Sequence, residues 1–389
     1  MKVIRVCPVY FPYMTFGGSA VADYELDKAL VREGHTVTVL TCREKRQEGH
    51  HKILSDRHEV RYFSVIGDKA HGFALGALFR LLVELARRGK EIDLVWFGGV
   101  WNLLTVLGPP LCRIFSVRYV ITPHGMLIPR LIALKTTKPK RFVIRWFLKP
   151  SLERAYRVHF TAEKELHDTQ QATQAVMKPV IFPLCFDLRR FDEGLTVPRK
   201  WLPGDRMVLA FIGRITRKKR IDLVVEALKM LPAETKARLT FRVVGSDDEG
   251  LWDETSYTEE QMGLPIEYVG LLEGPALVSA YQTADIFVLC SESENFAIAV
   301  VEAAYCYTAL LISKEVGVSE YFSETSATYA EVDATDICKR INDLVNDPDK
   351  VHAYKLAARR VSEQFESSHL PEHYFENQLN SGGRGGSGA

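Results

Sequence analysis

The residues best placed to do chemistry fall into separate clusters. One is Gly213-Arg214-Ile215-Thr216-Arg217-Lys218-Lys219-Arg220, directly before a helix expected over 221–231. A helix start is the positive end of the peptide dipole, and an exposed cation there is disfavoured by about 0.3–1 kcal/mol. Such a run is either a solvated basic turn or a place where an anion sits, and phosphate is the anion that helix N–H groups and guanidinium forks suit best. A second cluster is Ser291-Glu292-Ser293-Glu294-Asn295-Phe296-Ala297, opening the apolar helix that carries Glu302. Ser291 and Glu294 have capping-box spacing, so Glu294 reads as a cap or as a carboxylate facing a ligand. Glu302 lies among apolar residues, where an unpaired carboxylate costs several kcal/mol, and it needs a partner or a ligand. Continuous helix from 294 to 302 would set the two carboxylates about 80° apart around the axis and roughly 12 Å along it. That span suits the two ends of an extended ligand better than a pair flanking one bond. In the first half, Gly17-Gly18 precedes Ser19 at a helix start, and Pro123-His124-Gly125 follows an apolar run. The glycines read as a plain turn or as room for a ligand, and the histidine as structural or functional.

The elements that must position these residues follow from the apolar periodicity. Strand-length apolar runs alternate with amphipathic stretches of helix length, the pattern of parallel sheets covered on both faces. Strands are expected at 2–9, 35–41, 60–65, 92–97, 119–122, 158–161 and 180–182, then at 208–212, 240–244, 267–269, 285–289, 310–313 and near Thr328. Residues 183–205 hold Pro183, Pro198, Pro203 and Gly204 among charges and read as a linker. The expected domains are 1–190 and 191–361, with a helix at 362–379 crossing back to the first and a disordered tail at 380–389. Every cluster above then falls just after a strand, where open parallel sheets bind their ligands.

Composition narrows the function. Among 389 residues, 47% are hydrophobic and 25% charged, which excludes disordered and fibrous classes. Fifty Lys+Arg against 49 Asp+Glu give a net charge of +1, so no bulk attraction to nucleic acid exists and none is expected as partner. Seven scattered cysteines without a CxxC disfavour a disulfide framework and a zinc site and fit a reducing cytoplasm. The apolar stretches 73–86 and 92–108 are interrupted before membrane-spanning length, and the N-terminus reads as a strand rather than a signal peptide. No GxxxxGK[ST] or HExxH occurs, and the single GxGxxG (Gly383, Gly385, Gly388) lies in the tail, away from any strand or helix.

Gly17-Gly18, His124-Gly125, Gly213-Arg214 with Lys219 five residues on, and Glu294 with Glu302 in an E-x7-E frame together resemble family 4 of the retaining glycosyltransferases. The resemblance implies an α/β chain with two tandem Rossmann-like doubly wound parallel-sheet domains facing a cleft, the GT-B fold. It implies a nucleotide-diphosphate sugar as donor, held mainly by the second domain, and a glycan or lipid-linked acceptor held by the first. Arg214 and Lys219 would clamp the diphosphate and Glu302 the ribose hydroxyls. Glu294 would contact the donor sugar with the amides of Asn295, Phe296 and Ala297. His124 would lie against the transferring sugar or phosphates, and Gly17 and Gly18 would leave room for the diphosphate. His124, Glu294, Arg214 and Lys219 are thus the expected catalytic group, with no metal and no cofactor required. Departures from the family pattern are Asn295-Phe296-Ala297 for the commoner Gly-Phe-Gly, Pro183-Leu184-Cys185-Phe186-Asp187 for Pro-Asn-Gly-Val-Asp, and Tyr305-Cys306-Tyr307 without the usual glycine.

The expected role is surface polysaccharide, lipopolysaccharide or glycolipid synthesis in the cytoplasm. Between Arg113 and Arg157 eleven Lys/Arg face one acidic residue, Glu153, a net charge of +10. With Phe142, Trp146 and Phe147 among them, this segment is either a solvated basic face or a surface for an anionic membrane leaflet or lipid-diphosphate acceptor. A nucleotide-sugar epimerase or phosphorylase of the same fold, or a non-catalytic nucleotide-sugar-binding protein, is the alternative reading.

Overall fold

The computed structural model describes residues 1–11, 18–43, 51–65, 74–129, 132, 137–198, 205–252 and 257–369. The chain divides into two units, Met1–Phe186 and Asp187–His369. The first is built on an eight-stranded sheet: β1 Lys2–Cys7, β2 Thr36–Cys42, β3 His51–Ser55, β4 His58–Phe63, β5 Leu94–Gly98, β6 Tyr119–Thr122, β7 Arg157–Phe160 and β8 Pro179–Ile181. Their spatial order is β3-β4-β2-β1-β5-β6-β7-β8, parallel throughout except that β3 runs antiparallel to β4. β1 is central, Val3 pairing with Val37 on one side and with Leu94 on the other. Its side chains alternate between two cores: Ile4 and Val6 join Val95 and Phe97 on one face, Val3 and Cys7 join Leu94 and Trp96 on the other. Burial on both faces explains why these strands read as unbroken apolar runs.

The second unit has six parallel strands: β9 Met207–Ile212, β10 Leu239–Val244, β11 Ile266–Gly270, β12 Ile286–Leu289, β13 Ala309–Ile312 and β14 Thr328–Tyr329, in the order β11-β10-β9-β12-β13-β14. In each sheet the chain leaves one central strand in both directions, so a topological switch lies between β1 and β5 and another between β9 and β12. The crevice beyond the carboxyl ends of such a strand pair is where this architecture takes its ligands.

Two expectations are corrected. Strand β3 was not anticipated. Residues 187–192, read as linker, are built into the second unit: Leu188 and Phe191 are buried, and Gln282 Nε2 donates to the carbonyls of Phe191 and Glu193. The helix Pro348–Ser362 is followed by the short turns Glu363–Phe365 and Ser367–His369, and Phe365 packs on Phe296 and Tyr321. The remainder of the expected 362–379 helix, and the 380–389 tail, lie outside the described residues.

Candidate functional site

The two second-unit clusters leave the strands that flank its switch, Gly213–Arg220 after β9 and Cys290–Ala297 after β12. They are stitched together at Lys218, whose carbonyl accepts from the backbone N–H of Glu292 at 2.8 Å and from the Ser291 hydroxyl at 2.9 Å. Ser291 is therefore a tie between loops and not a helix cap. The helix Ile298–Tyr305 starts only after Ala297, which has a left-handed φ of 67° and offers no side-chain cap. Glu294 lies outside that helix, bridged to Val316: its N–H donates to the Glu315 carbonyl and its own carbonyl accepts from Gly317. The helical arithmetic of 80° and 12 Å does not apply to it. A methyl on Gly317 would stand 1.6 Å from the Asn295 carbonyl oxygen, so only glycine lets this turn form.

The five cations divide by their partners. Arg217 is 3.9 Å from Glu249, Lys218 is 3.3 Å from Glu294, and Arg220 pairs with Asp222 at 2.9 Å and Glu292 at 2.7 Å. Among the described residues, Arg214 and Lys219 have no carboxylate within ion-pair distance. Lys219 is half-buried over Phe211, with its ammonium against Gly213, where a methyl would come within 2.5 Å of Nζ. Burial holds Lys219 below the ordinary lysine range; Glu294 pulls the other way, and Lys218 and Arg214 add to the depression. An anion would relieve that depression. Lys218 approaches Glu294 Oε1 with angles that make no hydrogen bond, so this buried carboxylate oxygen keeps an unmade one.

Glu302 has its partner. One carboxylate oxygen accepts from Arg190 and the other from the Tyr281 hydroxyl at 2.7 Å. An ionised carboxylate has about four acceptor positions, so both oxygens retain capacity. Arg190 and Tyr281 were not anticipated. Arg190 sits in the supposed linker, and nothing in the local sequence marks Tyr281.

In the first unit, Gly18 opens the helix Gly18–Arg32, while Gly17 lies outside the described residues. His124 has φ 53° and its Nε2 is 3.1 Å from Asp23 Oδ1 on that helix. Gly125 N–H donates to Glu165 Oε1 at 2.6 Å, and Glu165 Oε2 accepts from the Thr161 N–H and hydroxyl, each at 2.9 Å, which clamps the loop. Asp23 and Glu165 escaped the sequence reading. Among the described residues no group of three or more His, Cys, Asp or Glu could hold a metal ion.

The sequence profile described as Glycosyltransferase Family 4 matches residues 16–190, and that of Glycosyl transferases group 1 matches residues 197–361. The chain belongs to the family 4 glycosyltransferases. This family 4 chain is 26% identical over 167 residues to a sulfoquinovosyl transferase of Arabidopsis thaliana, covering 42% of the chain but 31% of that relative. It therefore spans about a third of that protein's length. It is 21% identical to a phosphatidylinositol N-acetylglucosaminyltransferase component of Arabidopsis thaliana, over 90% of the chain and 77% of that protein. Its fold is that of Anabaena HepE, solved in complex with UDP, with a TM-score of 0.69 at 16% identity, covering 98% of this chain and all of that one.

Proposed function

We propose that the chain transfers a glycosyl group from a nucleotide-diphosphate sugar to an acceptor hydroxyl, with retention at the anomeric carbon and without a metal. The observation that carries this is the pairing pattern of the basic loop: three of its five cations have a carboxylate within 4 Å, and among the described residues Arg214 and Lys219 have none. Two charges in the loop that leads from β9 into the helix Ile221–Met230 suit a diphosphate. HepE, of the same fold, binds UDP.

As the acceptor oxygen bonds to the anomeric carbon, the bond from that carbon to the diphosphate breaks and the hydroxyl proton passes to the leaving phosphate. Arg214, Lys219 and the uncapped N–H groups opening the helix Ile298–Tyr305 meet the charge that grows there. Glu294, with its unmade hydrogen bond, takes a hydroxyl of the donor sugar, and Glu302 the ribose. A thermal-shift series with UDP, GDP and ADP tests the reading. The correct nucleotide at a hundred times its dissociation constant stabilises by about 2.7 kcal/mol. No shift with any of the three would overturn it.

The acceptor we propose is a glycan or lipid-linked hydroxyl in surface polysaccharide, lipopolysaccharide or glycolipid synthesis, and the enzyme works in the cytoplasm at the inner face of the membrane. The phosphatidylinositol in the name of one relative supports a lipid acceptor. So does the surface made by Arg141, Phe142, Arg145 and Trp146, with both aromatic residues more than half exposed. No helix among the described residues is long and apolar enough to cross a membrane. Sedimentation with phosphatidylglycerol vesicles at low salt is expected to carry the protein down, and full recovery in the supernatant would remove the membrane from the proposal.

A further inference from the structure

Arg5 is an unusual residue for a central parallel strand. It is fully buried in β1, its guanidinium carbon 4.7 Å over the Trp96 ring, and its charge is met by two carboxylates of the helix Gly18–Arg32. Nε and Nη2 donate to Asp27 at 2.9 and 2.5 Å, and Nη1 donates to Asp23 Oδ1 at 3.3 Å. Tyr10 donates its hydroxyl to Asp27 at 2.7 Å. Asp27 thus compensates Arg5, and Asp23 remains as one surplus negative charge in a dry interior. The only other cationic group against it among the described residues is His124, whose Nε2 lies 3.1 Å from the oxygen that Arg5 also holds.

The backbone is shaped to allow this. β5 ends in Gly98, where a methyl would lie 2.4 Å from Asp23 Oδ2. His124 itself occupies the left-handed region, a strained setting for a residue with a side chain, and it is kept there by the Gly125–Glu165 clamp. With Nε2–H given to Asp23, Nδ1 has no hydrogen-bond partner among the described residues.

We propose that Asp23, locked by Arg5, is the positioning residue that orients His124 and balances its charge, so that the unclaimed Nδ1–H is held as a donor for a substrate oxygen. This rests on the proposed transfer reaction and assigns it a residue that the E-x7-E frame does not contain. The groups facing His124 are Asp23 from its helix, Arg5 from β1, His159 from β7 and Glu165 from the helix Glu163–Thr173. Burial disfavours the imidazolium, but Asp23 and then Glu165 outweigh it against Arg5, and the balance lies above the ordinary histidine value. His159 stays neutral, pushed down to about 3 chiefly by burial.

Two measurements decide it. Ring-proton NMR of the full chain follows the titration of His124, identified by the signal lost in His124→Asn. In the unmutated protein it is expected above the ordinary value of about 6.5, and in Asp23→Asn lower by about 1–3 pH units. The kcat/KM profile loses activity as pH rises through the His124 pKa, and in Asp23→Asn this alkaline limb is expected at lower pH. A purely structural Asp23 would instead lower the profile uniformly and leave the limb in place, which would overturn the proposal. So would a His124 that titrates at or below 6.5 in the unmutated protein, a result independent of whether the variant folds. Absence of transfer with every nucleotide sugar, beside the expected titration, would instead overturn the transfer reading and the donor role while leaving the Asp23–His124 couple standing.

Discussion

Replacing Lys219 by alanine removes one of the two loop cations that no carboxylate among the described residues pairs with, and the surrounding pairs supply an internal control. Lys219 lies half-buried between Gly213 and the Phe211 ring, so its bond to a phosphate forms with little competing water. A hydrogen bond to a charged group contributes about 1.5–3 kcal/mol net, so nucleotide affinity is expected to fall about 10- to 150-fold. Because charge grows on the leaving diphosphate, kcat/KM is expected to fall further, by about 10²- to 10³-fold, and Arg214→Ala should behave alike. Arg217 is the control: it is 86% exposed and 3.9 Å from Glu249. Such a pair is worth about 0–1 kcal/mol, so Arg217→Ala should change affinity about fivefold at most. Calorimetry with the nucleotide diphosphate that stabilises best reads both, and it reads a second consequence. Burial depresses the Lys219 pKa, and an arriving anion raises it again, so binding in alkaline buffer takes up protons and makes the apparent enthalpy depend on the buffer. Lys219→Ala should abolish that dependence. Near-normal turnover in Lys219→Ala, or an equal loss in Arg217→Ala, would refute the assignment of the clamp.

Glu302→Ala should weaken nucleotide binding about tenfold or more and also destabilise the fold by about 1–3 kcal/mol, because Arg190 and the buried Tyr281 hydroxyl lose their acceptor. Unchanged nucleotide affinity would remove Glu302 from the donor site, whatever the stability. Gly317→Ala drives a methyl to 1.6 Å from the Asn295 carbonyl and must displace the Glu294 turn, so calorimetry should show weaker nucleotide binding and denaturation a loss of about 1–3 kcal/mol. An unaltered dissociation constant would show that the turn is dispensable. His159, held neutral down to about pH 3 in the folded chain, takes up its proton near 6.5 when unfolded, so its contribution is full above pH 6.5 and drains away as pH falls towards 3. That drain is about 1.4 kcal/mol per pH unit; His159→Gln should flatten the acid limb of unfolding free energy by this amount, and equal slopes in both proteins would contradict it.

Most of the sheet was legible because its strands are buried on both faces and so read as continuous apolar runs, as in Val3–Cys7 and Ile286–Leu289. β3 was not, since His51–Ser55 is an edge strand with four of its five residues exposed and carries no such run. Glu294 was placed in a helix because Ser291 to Glu302 has cap spacing and an apolar stretch, yet the helix is delayed by Ala297 and by Gly317, twenty residues further along the chain. A long-range contact of that kind leaves no local periodicity. Residues 187–192 carry charges that imitate a linker, and only the packing of Phe191 and the reach of Arg190 to Glu302 reveal them as structure. Asp23 and Asp27 did leave a trace, two carboxylates one helical turn apart on a face that is otherwise buried, and Arg5 was the lone charge inside an apolar strand.

The pairing pattern supports the anion site over the solvated turn, the two readings that the basic run left open. A turn that merely solvates its charges has no use for a fixed backbone, but this one is tied at the Lys218 carbonyl by two donors from the neighbouring loop, and Ser313 ties that loop in turn at the Ser291 carbonyl, 2.6 Å away. Ordering flexible groups at a binding surface costs free energy, and here the backbone that carries the cations is tied down without any ligand. Carboxylates were also at hand to neutralise the run: Glu249, Glu292, Glu294 and Asp222 all pair with it, and among the described residues none comes within ion-pair distance of Arg214 or Lys219. The first unit makes the opposite choice, compensating every charge around Arg5 inside the protein. Among the described residues, Arg214 and Lys219 thus stand beside the switch between β9 and β12 with no carboxylate within ion-pair distance, which is the electrostatic ground for proposing that an anion from outside binds there.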